Sequence, residues 1–167
     1  REFTRRRKRL MGMIAPGGIV IQPNAPERLR NGDVYHPYRA DSDFYYLSGF
    51  PEPESVLVLL PERKQGEFVL FCRERDEKAE SWHGRRAGLE GACEFYGADD
   101  AFPITDLDDI LPGLLENKER IYYSMGRYAD FDQRLMSWLN RVSDKGRSGV
   151  HAPDQFMSLA HIAHEMR

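Results

Sequence analysis

A length of 167 residues suits one domain with a real hydrophobic core, and 41% apolar with 31% charged residues describes a folded, soluble chain rather than a disordered one. The formal net charge of -3 offers no general attraction to nucleic acid or to an anionic membrane, and no apolar run approaches the roughly 20 residues of a bilayer span. Cys72 and Cys93 are too few for a disulfide framework or a zinc site and read as reduced thiols in a cytosolic protein. The opening "REFTRRRKRLMGMIAPGG" lacks the apolar centre of a secretory signal, and the missing initiator Met leads us to expect a piece of a longer protein.

Phe3, Leu10 and Ile14 recur near helical spacing and Pro16-Gly17 ends the pattern, so the first predicted element is a helix. "GGIVIQ" (17–22) reads as a buried strand, and "QPNAPERLRNGDVYHPY" as a loop rich in Pro, Asn and Gly. "DSDFYYLSG" fits a short helix with Ser42 or Asp41 as N-cap and Gly49 as C-cap. "SVLVLL" (55–60) and "EFVLFC" (67–72) flank the charged, Gly-ended "PERKQG", which predicts a hairpin. "LEGACEFYG" fits a short helix, and in "ITDLDDILPGLLE" Thr105 and Asp108 form a capping-box pattern ahead of another. "RIYYSM" is a strand candidate. From Tyr128 onward Phe131, Leu135, Trp138, Leu139 and Val142 share one face of an amphipathic helix. Strands alternating with helices, with a hairpin among them, predict one α/β domain built on a mixed β-sheet flanked by helices.

Several residue groups invite a chemical reading. His161 and His164 in "HIAH" can share a helix face, but the zincin pattern needs a Glu after the first His and a spacing of four, so surface histidines are the expectation. Asp41 and Asp43 would face one way on a strand, as metal-binding carboxylates do, yet capping and turn roles explain them better. Asp106, Asp108 and Asp109 read as the negative first turn of a helix. "RRRKR" (5–9) has no interleaved aromatics and reads as a solvated helix face. Trp138 lies on an apolar stripe and belongs to the core. Trp82, among charges and glycines in "AESWHGRRAG", is either part of a binding surface or a plug that pins its loop, and the residues alone do not choose.

Two long stretches carry a resemblance. "YRADSDFYYLSGFPEPESVLVLL" closely resembles the signature of the N-terminal domain of bacterial aminopeptidase P (Xaa-Pro aminopeptidase), and "LFCRERDEKAESWHGRRAG" is similar to that family's second signature. The closing "HEMR" resembles the junction into the catalytic domain, so the similarity runs from Phe3 to Arg167; between Leu89 and Gly149 it lies mainly in the pattern of elements. The resemblance implies a creatinase/prolidase N-terminal domain of ribonuclease H-like layout over residues 1–167, with the pita-bread catalytic domain absent from this chain. In the family that domain holds two metal ions, usually manganese, through two Asp, one His and two Glu, and a bridging hydroxide attacks the bond before a proline. All five ligands would lie beyond Arg167, so the expectation is no catalytic or metal residue here and no peptidase activity from these residues alone.

The same resemblance implies proline-containing peptides, the protein's own catalytic domain and further copies of the chain as partners, while the thiols, the net charge and the lack of a bilayer span predict a cytoplasmic location and no nucleic-acid or membrane partner. It carries three residues over as contributors to the substrate site. Trp82 matches a tryptophan bordering the pocket for the first side chain, Asp33 an acid presented by a neighbouring subunit, and Arg147 an arginine near the mouth. Without it Asp33 reads as a turn acid after Asn31-Gly32. Two rivals stand beside this reading. One is the binding module of a metal-free pseudo-peptidase, as in a histone-chaperone subunit, and the other is a ribonuclease H-like nuclease.

Overall fold

The computed structural model describes residues 1–27 and 37–167. Helix α1 (Glu2–Met13) leads into strand β1 (Gly18–Pro23), helix α2 (Ser42–Ser48) and the strands β2 (Val56–Leu59) and β3 (Phe68–Cys72). Helices α3 (Glu77–His83) and α4 (Gly88–Tyr96), strand β4 (Asp100–Pro103), helix α5 (Leu107–Leu115) and strand β5 (Arg120–Tyr123) follow. Helix α6 (Ala129–Ser143), strand β6 (Gln155–Ser158) and helix α7 (Leu159–Met166) complete the order. The six strands form one sheet in the order β4-β3-β2-β1-β5-β6. The predicted hairpin is antiparallel, with Val56 opposite Phe71, and β1 is antiparallel to β2; β1–β5, β5–β6 and β3–β4 run parallel. The sheet is therefore mixed, as expected.

Strand alternation divides the core in two. Ile19, Ile21, Val58, Val69, Phe71 and Ile121 point to the side covered by α5 and α6, where Leu111, Leu135 and Trp138 meet them. Val20, Leu57, Leu59, Leu70 and Tyr122 point to the opposite side, against Leu10, Phe44, Leu47, Ala92 and Leu159. Both faces of β1, β2 and β3 are covered, which is why these strands read as continuous apolar runs rather than as alternating ones. Among the described residues no helix is long and apolar enough to cross a membrane.

Four expectations need correction. Residues 73–87 contain the short helix α3, so Trp82 sits on a helix rather than in an irregular loop. Strands β4 and β6 and helix α7 also lay outside the predicted elements. The Thr105 capping box does not form: a 3-10 turn over Ile104–Asp106 feeds α5, whose N-terminus receives no side-chain cap. Asp108 and Asp109 do form the negative first turn of α5, and Asp108 also joins the helix to α6. Pro112 inside α5 has no N–H to give to the Asp108 carbonyl, and Arg141 of α6 donates to it across 2.8 Å. The Asp108 carboxylate accepts from Trp138 Nε1 at 2.9 Å and Arg134 Nη2 at 3.0 Å.

The basic run is the fourth correction. Arg5 is exposed and paired with Glu2, but Arg7 is only 4% exposed. Its guanidinium donates to the Leu47 carbonyl at 2.9 Å and lies 3.9 Å from the Phe68 ring centroid. Arg6 stacks on Tyr46, and Arg9 donates to the Met166 carbonyl. Three of the five residues of this "solvated face", Arg6, Arg7 and Arg9, tie α1 to α2, β3 and α7.

Candidate functional site

Cys72 ends β3, and the chain then makes a closed excursion before α4. Asp76 caps α3 by accepting from the Lys78 and Ala79 amides, and Gly84 ends the helix at φ 97°, a conformation that costs a side chain dearly. Glu80 reaches back to the Asp76 amide at 2.8 Å, accepts the Arg86 amide at 2.8 Å, and takes Arg75 Nε at 2.9 Å. The Arg86 amide and then the Arg75 guanidinium hold the Glu80 carboxyl down at about 2. At the far end Glu52 accepts the Ala87 amide at 2.8 Å and Arg73 at 3.4 Å. Gly88 at φ 72° has Arg75 so close that a Cβ would lie 2.5 Å from its Cγ.

These contacts explain the residue types of "RERDEKAESWHGRRAG": acids close the segment, glycines turn it, and Glu52 of "GFPEPE" ties it to the body of the domain. No residue of α3 is buried, and Trp82 is 79% exposed. The plug alternative for Trp82 is thereby set aside for this chain. Sequence reasoning missed Glu52 and Glu80. The signal for Glu80 was its spacing from Asp76, one residue longer than a capping box.

The acid pair of the other signature is structural. Asp41 caps α2 by accepting the Asp43 and Phe44 amides at 2.9 Å each, and it also takes Arg127 Nη1 at 3.0 Å and the Tyr128 hydroxyl. Asp43 accepts Arg127 Nη2 at 2.9 Å and Arg167 Nη2 at 2.8 Å. Burial first, and then the hydrogen bond to Asp41, push the Tyr128 hydroxyl well above the usual tyrosine range. The capping expectation holds, with Asp41 rather than Ser42 as the cap, and Gly49 closes the helix at φ 69°, where a Cβ would strike the Phe3 ring at 2.6 Å.

The other candidates do not converge. Asp33 lies outside the described residues. Arg147 is exposed in a 3-10 turn (Gly146–Ser148) that leads towards β6, whereas Trp82 follows β3; β2, β1 and β5 separate the two strands. His161 and His164 are exposed on α7, and His161 faces Glu165 at 3.2 Å. Among the described residues no three His, Cys, Asp or Glu side chains group as metal ligands, so these residues do not fit a resident manganese pair. What the arrangement offers is an exposed indole on a largely polar helix whose backbone is closed by Asp76 and Glu80.

Comparison with known proteins places this geometry. The family model for the aminopeptidase P N-terminal domain matches residues 3–122. The Xaa-Pro aminopeptidase of Escherichia coli is 38% identical over 99% of this chain, and human Xaa-Pro aminopeptidase 3 is 29% identical over 93%. The solved structure of Pseudomonas aeruginosa aminopeptidase PepP superposes with a TM-score of 0.94 at 56% identity, covering 98% of this chain and 37% of that one. A zinc-substituted E. coli aminopeptidase P in complex with product superposes at 0.92. The chain spans 38% of the E. coli relative and 34% of the human one, little more than a third of their length. With the family's match covering most of the described residues, and both signatures folded around the acids that characterise them, the chain belongs to the aminopeptidase P N-terminal domain family.

Proposed function

We propose that this chain is the non-catalytic N-terminal domain of a metal-dependent Xaa-Pro aminopeptidase, which removes the first residue from peptides with proline second. An Xaa-Pro bond calls for a dedicated enzyme because its nitrogen carries no N–H and the ring fixes φ. The two manganese ions belong to the downstream catalytic domain in this reading, where they would polarise the carbonyl and supply hydroxide. The domain's own part is oligomer assembly and the shaping of substrate access, in a cytoplasmic homo-oligomer. Trp82 would border the pocket for the first side chain, Arg147 would stand near the mouth, and Asp33 would act across a subunit boundary.

The observation that carries this reading is the exposure of Trp82: an indole 79% exposed on a helix that buries no apolar side chain is a surface awaiting contact. Trp82→Ala should leave the stability of the 167-residue chain within about 0.5 kcal/mol of wild type, as exposed substitutions do. In the full-length protein the same change should weaken hydrolysis of Xaa-Pro peptides by an amount that varies between Gly, Leu and Arg as first residue, because a pocket wall discriminates through contact area. A uniform loss across the three peptides removes Trp82 from the pocket.

A further inference from the structure

A seven-residue helix has too few turns to be stable by itself, and α3 gains no apolar burial to compensate. Its order comes from Glu80, whose side chain is only 9% exposed on this otherwise open segment. Oε2 accepts the Asp76 amide, immediately ahead of the helix, and Oε1 accepts the Arg86 amide, two residues past Gly84. One carboxylate thus joins the entry of the excursion to its exit, with Arg75 Nε bridging both oxygens at 2.9 and 3.1 Å. Glu52 fixes the outer end through the Ala87 amide. Trp82 lies two residues after Glu80 on the helix so closed.

We propose that Glu80 is the positioning residue for Trp82: by closing residues 75–86 upon themselves it fixes the backbone that carries the outward-facing indole, so that a peptide's first side chain meets a preformed wall. This rests on the reading that Trp82 borders the substrate pocket of an Xaa-Pro aminopeptidase. Preorganisation lowers the ordering cost that binding would otherwise incur, so the role shows in discrimination between substrates rather than in the chemical step.

Glu80→Gln preserves shape but turns an NH2 towards donors. In the 167-residue chain the Asp76 and Arg86 amides should then exchange with solvent roughly tenfold faster or more, as loss of charge-assisted hydrogen bonds allows, while β1 amides keep their rates. Glu80→Asp, which retains the charge on a shorter stem, should restore part of the protection. In the full-length protein Glu80→Gln should raise KM more than it lowers kcat, and more for Leu-Pro and Arg-Pro peptides than for Gly-Pro peptides. Combined with Trp82→Ala it should add little to the loss from Trp82→Ala alone, since both act through one group. Unchanged exchange in Glu80→Gln, or fully additive losses, overturns the role of Glu80 with the function intact. A full-length protein that cleaves no Xaa-Pro peptide overturns the function itself.

Discussion

Asp41 illustrates how much one residue can carry. With its side chain 4% exposed, it accepts from two α2 amides, from Arg127 and from Tyr128, so its charge is fully compensated inside the protein. Asp41→Ala removes the compensation and leaves Arg127 facing Asp43 alone. We expect a loss of about 3–5 kcal/mol in urea unfolding, the range for breaking a buried pair by removing one partner. A loss under about 1 kcal/mol would mean that this network is solvated like a surface pair. Arg7 teaches the same lesson from the cationic side. Its neighbours in sequence are arginines and a lysine, but its partners are the Leu47 carbonyl and the Phe68 ring, both supplied from across the fold. Charge runs are read one residue at a time.

At the scale of elements, α6 and α3 are opposites. The stripe of Phe131, Leu135, Trp138, Leu139 and Val142 is buried as its periodicity predicts, and Leu135 is wholly enclosed against α5 and the sheet. Phe131→Ala or Leu135→Ala should each cost roughly 2–5 kcal/mol by urea unfolding, since each empties a large side chain from a packed core. Wild-type stability in both variants would contradict the packing of α6. By contrast, α3 has no stripe, and its order is electrostatic. Glu80's carboxyl is held at about 2 against an ordinary 4.5, so its contribution is fully present above about pH 4.5 and fades as the pH falls towards 2. The Arg86 amide resonance, which feels that carboxylate directly, should titrate with a midpoint near 2 in wild type and lose that transition in Glu80→Gln. A wild-type midpoint near 4.5 would show that the closure does not persist in solution.

For the molecule as a whole, the described residues make an open mixed-sheet domain with a core on each face, which presents an exposed indole and groups no metal ligands. A calorimetric titration of this chain with manganese should therefore be flat, and incubation with an Xaa-Pro peptide should release no amino acid. A stoichiometric micromolar site, or release of a first residue, would place catalytic machinery within these residues.

Apolar runs and periodicity determined β1, the β2–β3 hairpin and α6, because two covered faces leave no solvent position to dilute a strand and one covered face stamps a helix with a stripe. The capped α2 was legible for a local reason as well: Asp41 and Gly49 act within their own turn. Strands β4 and β6 were not. "DAFP" and "QFMS" are four residues each, without alternation, and become strands because β3 and β5 offer them open parallel edges. Helix α3, and with it the exposed position of Trp82, likewise depends on contacts that no period encodes, above all two carboxylates, Glu80 and Glu52, closing on amides 6 and 35 residues away. Local patterning reports which surface will be buried, whereas only the folded chain decides which distant donors reach a given acid, and here those acids present the residue on which the proposed function depends.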